Sequence, residues 1–135
     1  MPTVPRLVLA ALAATLLGCA AAGPTPRPAD FPFHGTGPAP FTLHWCLDRD
    51  AERVTAVGLL DVDGLVDRLV DATVEMQGLD AAGRVVSRAA VLTESRAFTG
   101  DALWRFTVRL RPTGQEERFT LRVSDYRWKP ILGGD

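Results

Sequence analysis

An antiparallel β-sandwich of immunoglobulin-like type, with about six to seven strands, is the fold this sequence predicts. Three observations predict it. Apolar residues recur at every second position in successive runs, which sends one face of each run into a core and the other to water. Glycine, aspartate and proline separate the runs as they do in turns. No segment carries the 3.6-residue apolar stripe of an amphipathic helix. Strands of this kind bury their apolar faces by stacking two sheets about 10 Å apart, with a small barrel as the alternative closure.

The runs follow in order. In FTLHWCL, Phe41, Leu43, Trp45 and Leu47 alternate with Thr42, His44 and Cys46. Val54, Ala56, Gly58, Leu60 and Val62 alternate next, although Val57 and Leu59 make the other face of that run partly apolar. Val70, Ala72, Val74 and Met76 alternate with Asp71, Thr73, Glu75 and Gln77, and residues 84–92 form a weaker strand. Trp104, Phe106, Val108 and Leu110 then alternate with Arg105, Thr107, Arg109 and Arg111. Phe119, Leu121 and Val123 close the series against Arg118, Thr120, Arg122 and Ser124. Parity therefore places Val74, Trp104, Phe106 and Leu121 inside, and Thr73, Thr107 and Thr120 outside. Asp80-Ala81-Ala82-Gly83 suits a hairpin loop, with glycine free to take a positive φ, and Pro112-Thr113-Gly114 serves similarly between the last two strands.

The stretch GLLDVDGLVDRLVDATVEMQGLDAAGRVV, Gly58 to Val86, resembles the FxLYD-type domain of bacterial surface proteins and lipoproteins. The motif falls on Met76-Gln77-Gly78-Leu79-Asp80, of which Asp80 is kept, with Gly83 in the following turn. The resemblance implies an immunoglobulin-like sandwich without catalytic residues.

The N-terminus reads as an export signal. Arg6 precedes residues 7–17, LVLAALAATLL, a stretch of about eleven uncharged residues, whereas crossing a bilayer takes ~20. Leu16-Leu17-Gly18-Cys19 then resembles the lipobox of bacterial lipoproteins. That resemblance implies diacylation of the Cys19 sulfur, cleavage before it and N-acylation of the new terminus, with membrane attachment through the acyl chains. Ala20, where the family's sorting rule would retain an aspartate in the inner membrane, implies the outer membrane, facing the periplasm or the cell surface. With Cys19 lipidated, Cys46 has no partner within the chain and no disulfide framework is expected. Residues 20–40 hold six of the ten prolines and read as a stiff spacer, reaching up to ~65 Å at ~3.1 Å per residue. Phe31 and Phe33 are its exception, either docking as an extra edge segment or forming a frayed start to the domain. The expected organisation is thus a signal peptide over 1–18, a lipidated cysteine and linker over 19–40, a sandwich over 41–130 and a tail over 131–135.

Candidate chemistry is sparse. His44 and Cys46 share a strand face, but a Cys–His dyad also needs an oxyanion hole, and no glycine-rich elbow is present. As a metal pair they fall short of the usual three or four ligands. Asp61, Asp63 and Asp67 surround Gly64 and start like an EF-hand loop, yet the twelfth position is Ala72. Solvated loop aspartates or a different calcium geometry are the two readings. Tyr126 and Trp128, beside Arg127 and Lys129, can seal the end of the sandwich or stack on a sugar or protein partner.

Charge offers the one clue to a partner. The net charge of −1 excludes a bulk polyanion binder, and no nucleic-acid motif is present. Residues 41–80 hold three arginines against nine acids, whereas residues 100–129 hold six arginines and a lysine against four. If the last two strands pair as a hairpin, Arg105, Arg109, Arg111, Arg118 and Arg122 point outward together as a docking face for an anionic partner. The expectation is a non-enzymatic, lipid-anchored envelope module, without cofactor or metal, that contacts an envelope protein or the cell wall. The alternatives are a small-ligand or calcium module and, last, an envelope hydrolase.

Overall fold

A computed structural model describes residues 19, 26–38, 40–62, 69–94 and 103–129. The signal segment 1–18, Asp63, Asp67 and the tail 131–135 lie outside the described residues. Seven strands follow one another: β1 (Phe33–Thr36), β2 (Phe41–Arg49), β3 (Val54–Val62), β4 (Leu69–Leu79), β5 (Val85–Glu94), β6 (Leu103–Leu110) and β7 (Arg118–Trp128). They form an antiparallel β-sandwich of two sheets, ordered β1-β2-β3-β6 and β5-β4-β7. The period-two reading holds for the centres of β3, β4 and β6; it departs at Val70, expected inward but half-buried beside a register shift while Leu69 is buried, and at Cys46, placed outward by parity but buried.

The alternating apolar faces meet between the sheets. Leu43, Ala56, Leu60, Val74, Met76, Phe106, Val108 and Leu121 are all buried in a common core. Thr73, Thr107 and Thr120 lie on the outer faces, half-buried by their neighbours. Gly58 marks a tight point, because it pairs with Trp45 on one side and Phe106 on the other. A Cβ there would collide with the His44 backbone carbonyl and lie 2.6 Å from Phe106 Cζ and 2.9 Å from Trp45 Cβ, so only glycine fits between these strands.

The last two strands depart from the expected hairpin. β6 pairs with β3 in one sheet, and β7 pairs with β4 in the other. The connection over residues 111–117 crosses between sheets, with Gly114 at φ 94 turning the chain. Glu116 holds that connection: Thr113 N and Oγ1 donate to its Oε1 at 2.8 and 2.9 Å, and Gly114 N donates to Oε2 at 3.0 Å.

β7 also carries a bulge. Val123 pairs with Val74 and Asp125 with Thr73, which leaves Ser124 as an extra residue. Before it the odd residues Leu121 and Val123 face the core; after it Tyr126 and Trp128 stand opposite Ala72 and Leu69. Unbroken parity would have turned Asp125 and Arg127 inward, at a prohibitive desolvation cost.

The domain begins earlier than the expected boundary at residue 41. A single 3₁₀ turn, Pro28–Asp30, leads to Phe31, which is 3% exposed, and β1 then pairs along β2 as an edge strand. Phe31 covers Leu59, itself 2% exposed on the outer face of β3, which accounts for the second apolar face of that strand. Residues 28–36 are therefore part of the fold, and the ~65 Å reach expected of a free spacer is withdrawn.

Two outcomes test this packing. Phe106→Ala should lower stability by ~3–5 kcal/mol, while Thr107→Ala should stay within about 0.5 kcal/mol, measured by urea titration. Equal effects would mean the register of β6 is wrong. For Glu116, burial raises the carboxyl pKa, but the hydrogen bonds led by the Thr113 amide outweigh it and bring it from 4.5 to about 2. A depressed folded-state value contributes stability that is complete above the unfolded pKa and fades as pH falls through the folded one. Glu116→Gln should consequently flatten the loss of stability between pH 4.5 and about 2. Urea midpoints across that range would show it, and an unchanged slope would remove the role given to Glu116.

Candidate functional site

The outer face of the β1-β2-β3-β6 sheet carries a small second core. Phe31, Cys46 and Leu59 are buried there, with Cys19, Val57 and Leu103 packed against them. Cys19 Sγ is bonded to Cys46 Sγ, with the two Cα atoms 5.4 Å apart and a sequence separation of 27. The expectation that Cys46 lacks a partner within the chain is thereby corrected. The reason is the docking of Phe31 and β1, which folds the N-terminal segment back across the sheet. Sulfur valence makes this bond and a thioether to lipid on Cys19 mutually exclusive. Cys46 Sγ also lies 3.5 Å from the Val57 carbonyl oxygen.

Beside this cluster, β1 and β2 set two histidines directly opposite one another. His34 pairs with His44 in register, and their Nδ1 atoms approach to 2.7 Å, with ring centroids 5.0 Å apart. One Nδ1 donates and the other accepts, so at least one ring is neutral. Asp61, on β3, lies 3.9 Å from His44 Nε2, beyond hydrogen-bond distance. Burial lowers the His44 pKa first and the neighbouring His34 lowers it further, with Asp61 acting in the opposite direction. Cys46, which shares the His44 face, is held by Cys19 and forms no dyad with it.

The arginines expected to share a face are divided by the topology. Arg105 and Arg109 stand on β6, followed by Arg111, outside the first sheet; Arg118 and Arg122 stand on β7, outside the second. On that second face the cations meet the acids of β4. Arg122 Nε donates to Glu75 Oε1 at 3.0 Å, and Arg127 Nε donates to Asp71 Oδ2 at 2.9 Å. Burial raises the Glu75 carboxyl, but hydrogen bonds from Gln77 and Arg122 hold it below its ordinary value. The acidic excess of residues 41–80 and the basic excess of the C-terminal strands thus partly cancel across β4 and β7.

Tyr126 and Trp128 close the end of the sandwich, Phe41 lying 5.1 Å from the Tyr126 ring and stacking on Trp128 at 5.9 Å. Tyr126 keeps 41% of its surface exposed. Of the three aspartates weighed for calcium, Asp61 is described and faces His44; Asp63 and Asp67 lie outside the described residues. No group of three or more His, Cys, Asp or Glu residues placed to hold a metal ion occurs among the described residues. Nor is any helix among them long and apolar enough to cross a membrane.

Sequence reasoning missed the His34–His44 pair because it assigned His34 to the linker. The one signal was the turn composition of Gly37, Pro38 and Pro40 ahead of β2, since FHGT itself is too short to show alternation. No protein-family model, curated protein or solved structure matches this chain.

The division of the arginines is testable. Arg109→Glu and Arg122→Glu should alter stability additively, the double variant matching the sum within about 0.5 kcal/mol. A coupling energy above ~1 kcal/mol in a urea-based double-mutant cycle would make them neighbours and contradict the strand order.

Proposed function

We propose that the protein is an exported, lipid-anchored β-sandwich that works without catalysis in the cell envelope, contacting an envelope protein or the cell wall. The sequence Leu16-Leu17-Gly18-Cys19, set directly after a short apolar segment, carries this reading. Ala20 directs the anchored protein to the outer membrane. On this reading Cys19 is acylated through sulfur, and the Cys19–Cys46 bond belongs to chains that escape acylation. Docking of the segment from Pro28 onward leaves eight residues between it and Cys19, nine steps that reach at most about 28 Å at ~3.1 Å per residue. The domain accordingly works close to the lipid surface.

The disulfide favours a second reading, an exported soluble domain whose N-terminal segment is stapled to β2. Closing a loop of this size would constrain the unfolded chain by ~3 kcal/mol. Both readings place the domain outside the cytoplasm, where thiols oxidise.

Growth of a bacterial host with a clickable palmitate analogue separates them. The lipoprotein reading expects label in the wild type, loss of label in Cys19→Ser, and one thiol, Cys46, alkylated after unfolding without reductant. Label retained by Cys19→Ser would overturn the anchor. An unlabelled wild type whose two cysteines react only after reduction would replace it with the stapled soluble domain.

A further inference from the structure

We propose that the His34–His44 contact is a proton-operated latch, which holds the N-terminal segment, residues 28–36, on the first sheet and releases it when both imidazoles are charged. The latch is independent of whether Cys19 carries lipid. Its basis is the contact itself: Nδ1 meets Nδ1 at 2.7 Å across the β1–β2 register pair. One ring must donate and the other accept. A neutral pair satisfies this, and so does a singly protonated pair, in which the imidazolium donates to its neutral neighbour. A second proton binds the accepting Nδ1 lone pair and leaves two donors without an acceptor. It also sets two positive rings with their centroids 5.0 Å apart. The proton comes from water and returns to water as the pH rises, and no covalent bond of the chain changes.

The surrounding charges do not absorb that second charge. Asp61 on β3, 3.9 Å from His44 Nε2, offsets a single positive ring. Arg105 on β6 follows in the same cross-strand row, beyond Leu59, and adds positive charge to this face. On β2 the nearest outward acid is Asp48, beyond Cys46, and β1 carries no charged residue besides His34. At the start of the docked segment, Arg27 and Asp30 pair with one another at 3.9 Å. His34 is exposed and open to water. Burial and His34 hold the His44 pKa below its ordinary 6.5 in the docked state, with Asp61 opposing them. Docking is therefore complete above that ordinary value and is lost as the pH falls below it.

Little else holds the strand. β1 has four residues, and its other attachments are Phe31 over Leu59 and Phe33 stacked on Trp45, with centroids 6.0 Å apart. Release uncovers the β2 edge together with Leu59 and Cys46. On the lipid-anchored reading, and only there, it also returns residues 20–40 to a spacer reaching up to ~65 Å.

Amide hydrogen exchange of the full chain at pH 7.5 and 5.5, with the Cys19–Cys46 bond reduced and rates corrected for intrinsic exchange, tests the latch. Protection of β1 should fall about tenfold or more at pH 5.5, while that of β4 stays within about threefold. In His34→Gln and His44→Gln, whose amides take up no proton, the fall in β1 should stay under about threefold. If His44→Gln does not fold, His34→Gln on the exposed edge strand decides the question; if the reduced chain does not fold, the disulfide-bonded chain is measured in its place. Protection of β1 that ignores pH, a fall shared equally by β4, or a fall that persists in a folded histidine variant overturns the latch.

Discussion

Gly58 is the constraint on which the packing of the first sheet depends, because the β2 backbone and Phe106 crowd the β3 chain there. Its missing Cβ lets Trp45 and Phe106 lie against the β3 backbone from the two neighbouring strands. A small sandwich has little room between its sheets, so the Phe106 ring needs the vacancy that Gly58 leaves in the β3 row. Val54, Ala56, Leu60 and Val62 supply the rest of that row, and all are buried. The register of β2, β3 and β6 follows, because a one-residue slip would put an outward side chain where the rings now sit.

The outer face of the same sheet shows a second use of apolar surface. Leu59 and Val57 point away from the sandwich core, and Phe31 and Cys46 join Leu59 in a separate cluster. This cluster turns the end of a proline-rich spacer into part of the fold and carries β1 onto the edge of β2. The proximity of Cys19 to Cys46 and of His34 to His44 both descend from that docking event. The features with chemical potential thus gather where the N-terminal segment meets the sheet.

Electrostatics plays a different part on the opposite sheet. Glu75 and Asp71 on β4 receive Arg122 and Arg127 from β7, strands separated by some fifty positions in the chain. Exposed pairs of this kind add little net stability, but they remove the like-charge crowding that a β6–β7 hairpin would have created. The bulge at Ser124 serves the same separation of charge from core, returning Tyr126 and Trp128 to the aromatic end beside Phe41.

The sequence by itself determined six of the seven strands, most of their inward faces and the fold class, because side-chain parity is a local property of extended backbone. It also marked Gly58 within an apolar row and Gly83 in a turn, where a positive φ is confirmed at 78°. Tertiary structure decided which strands pair. Nothing local to residues 104–123 distinguishes a hairpin from two strands sent to different sheets, since both satisfy the same alternation; the choice rests on contacts with β3 and β4 far away in the chain. The same holds for Phe31, His34 and Cys19. A four-residue strand among prolines has almost no periodic signal, and it becomes a strand because β2 offers it hydrogen bonds and Leu59 offers it apolar surface.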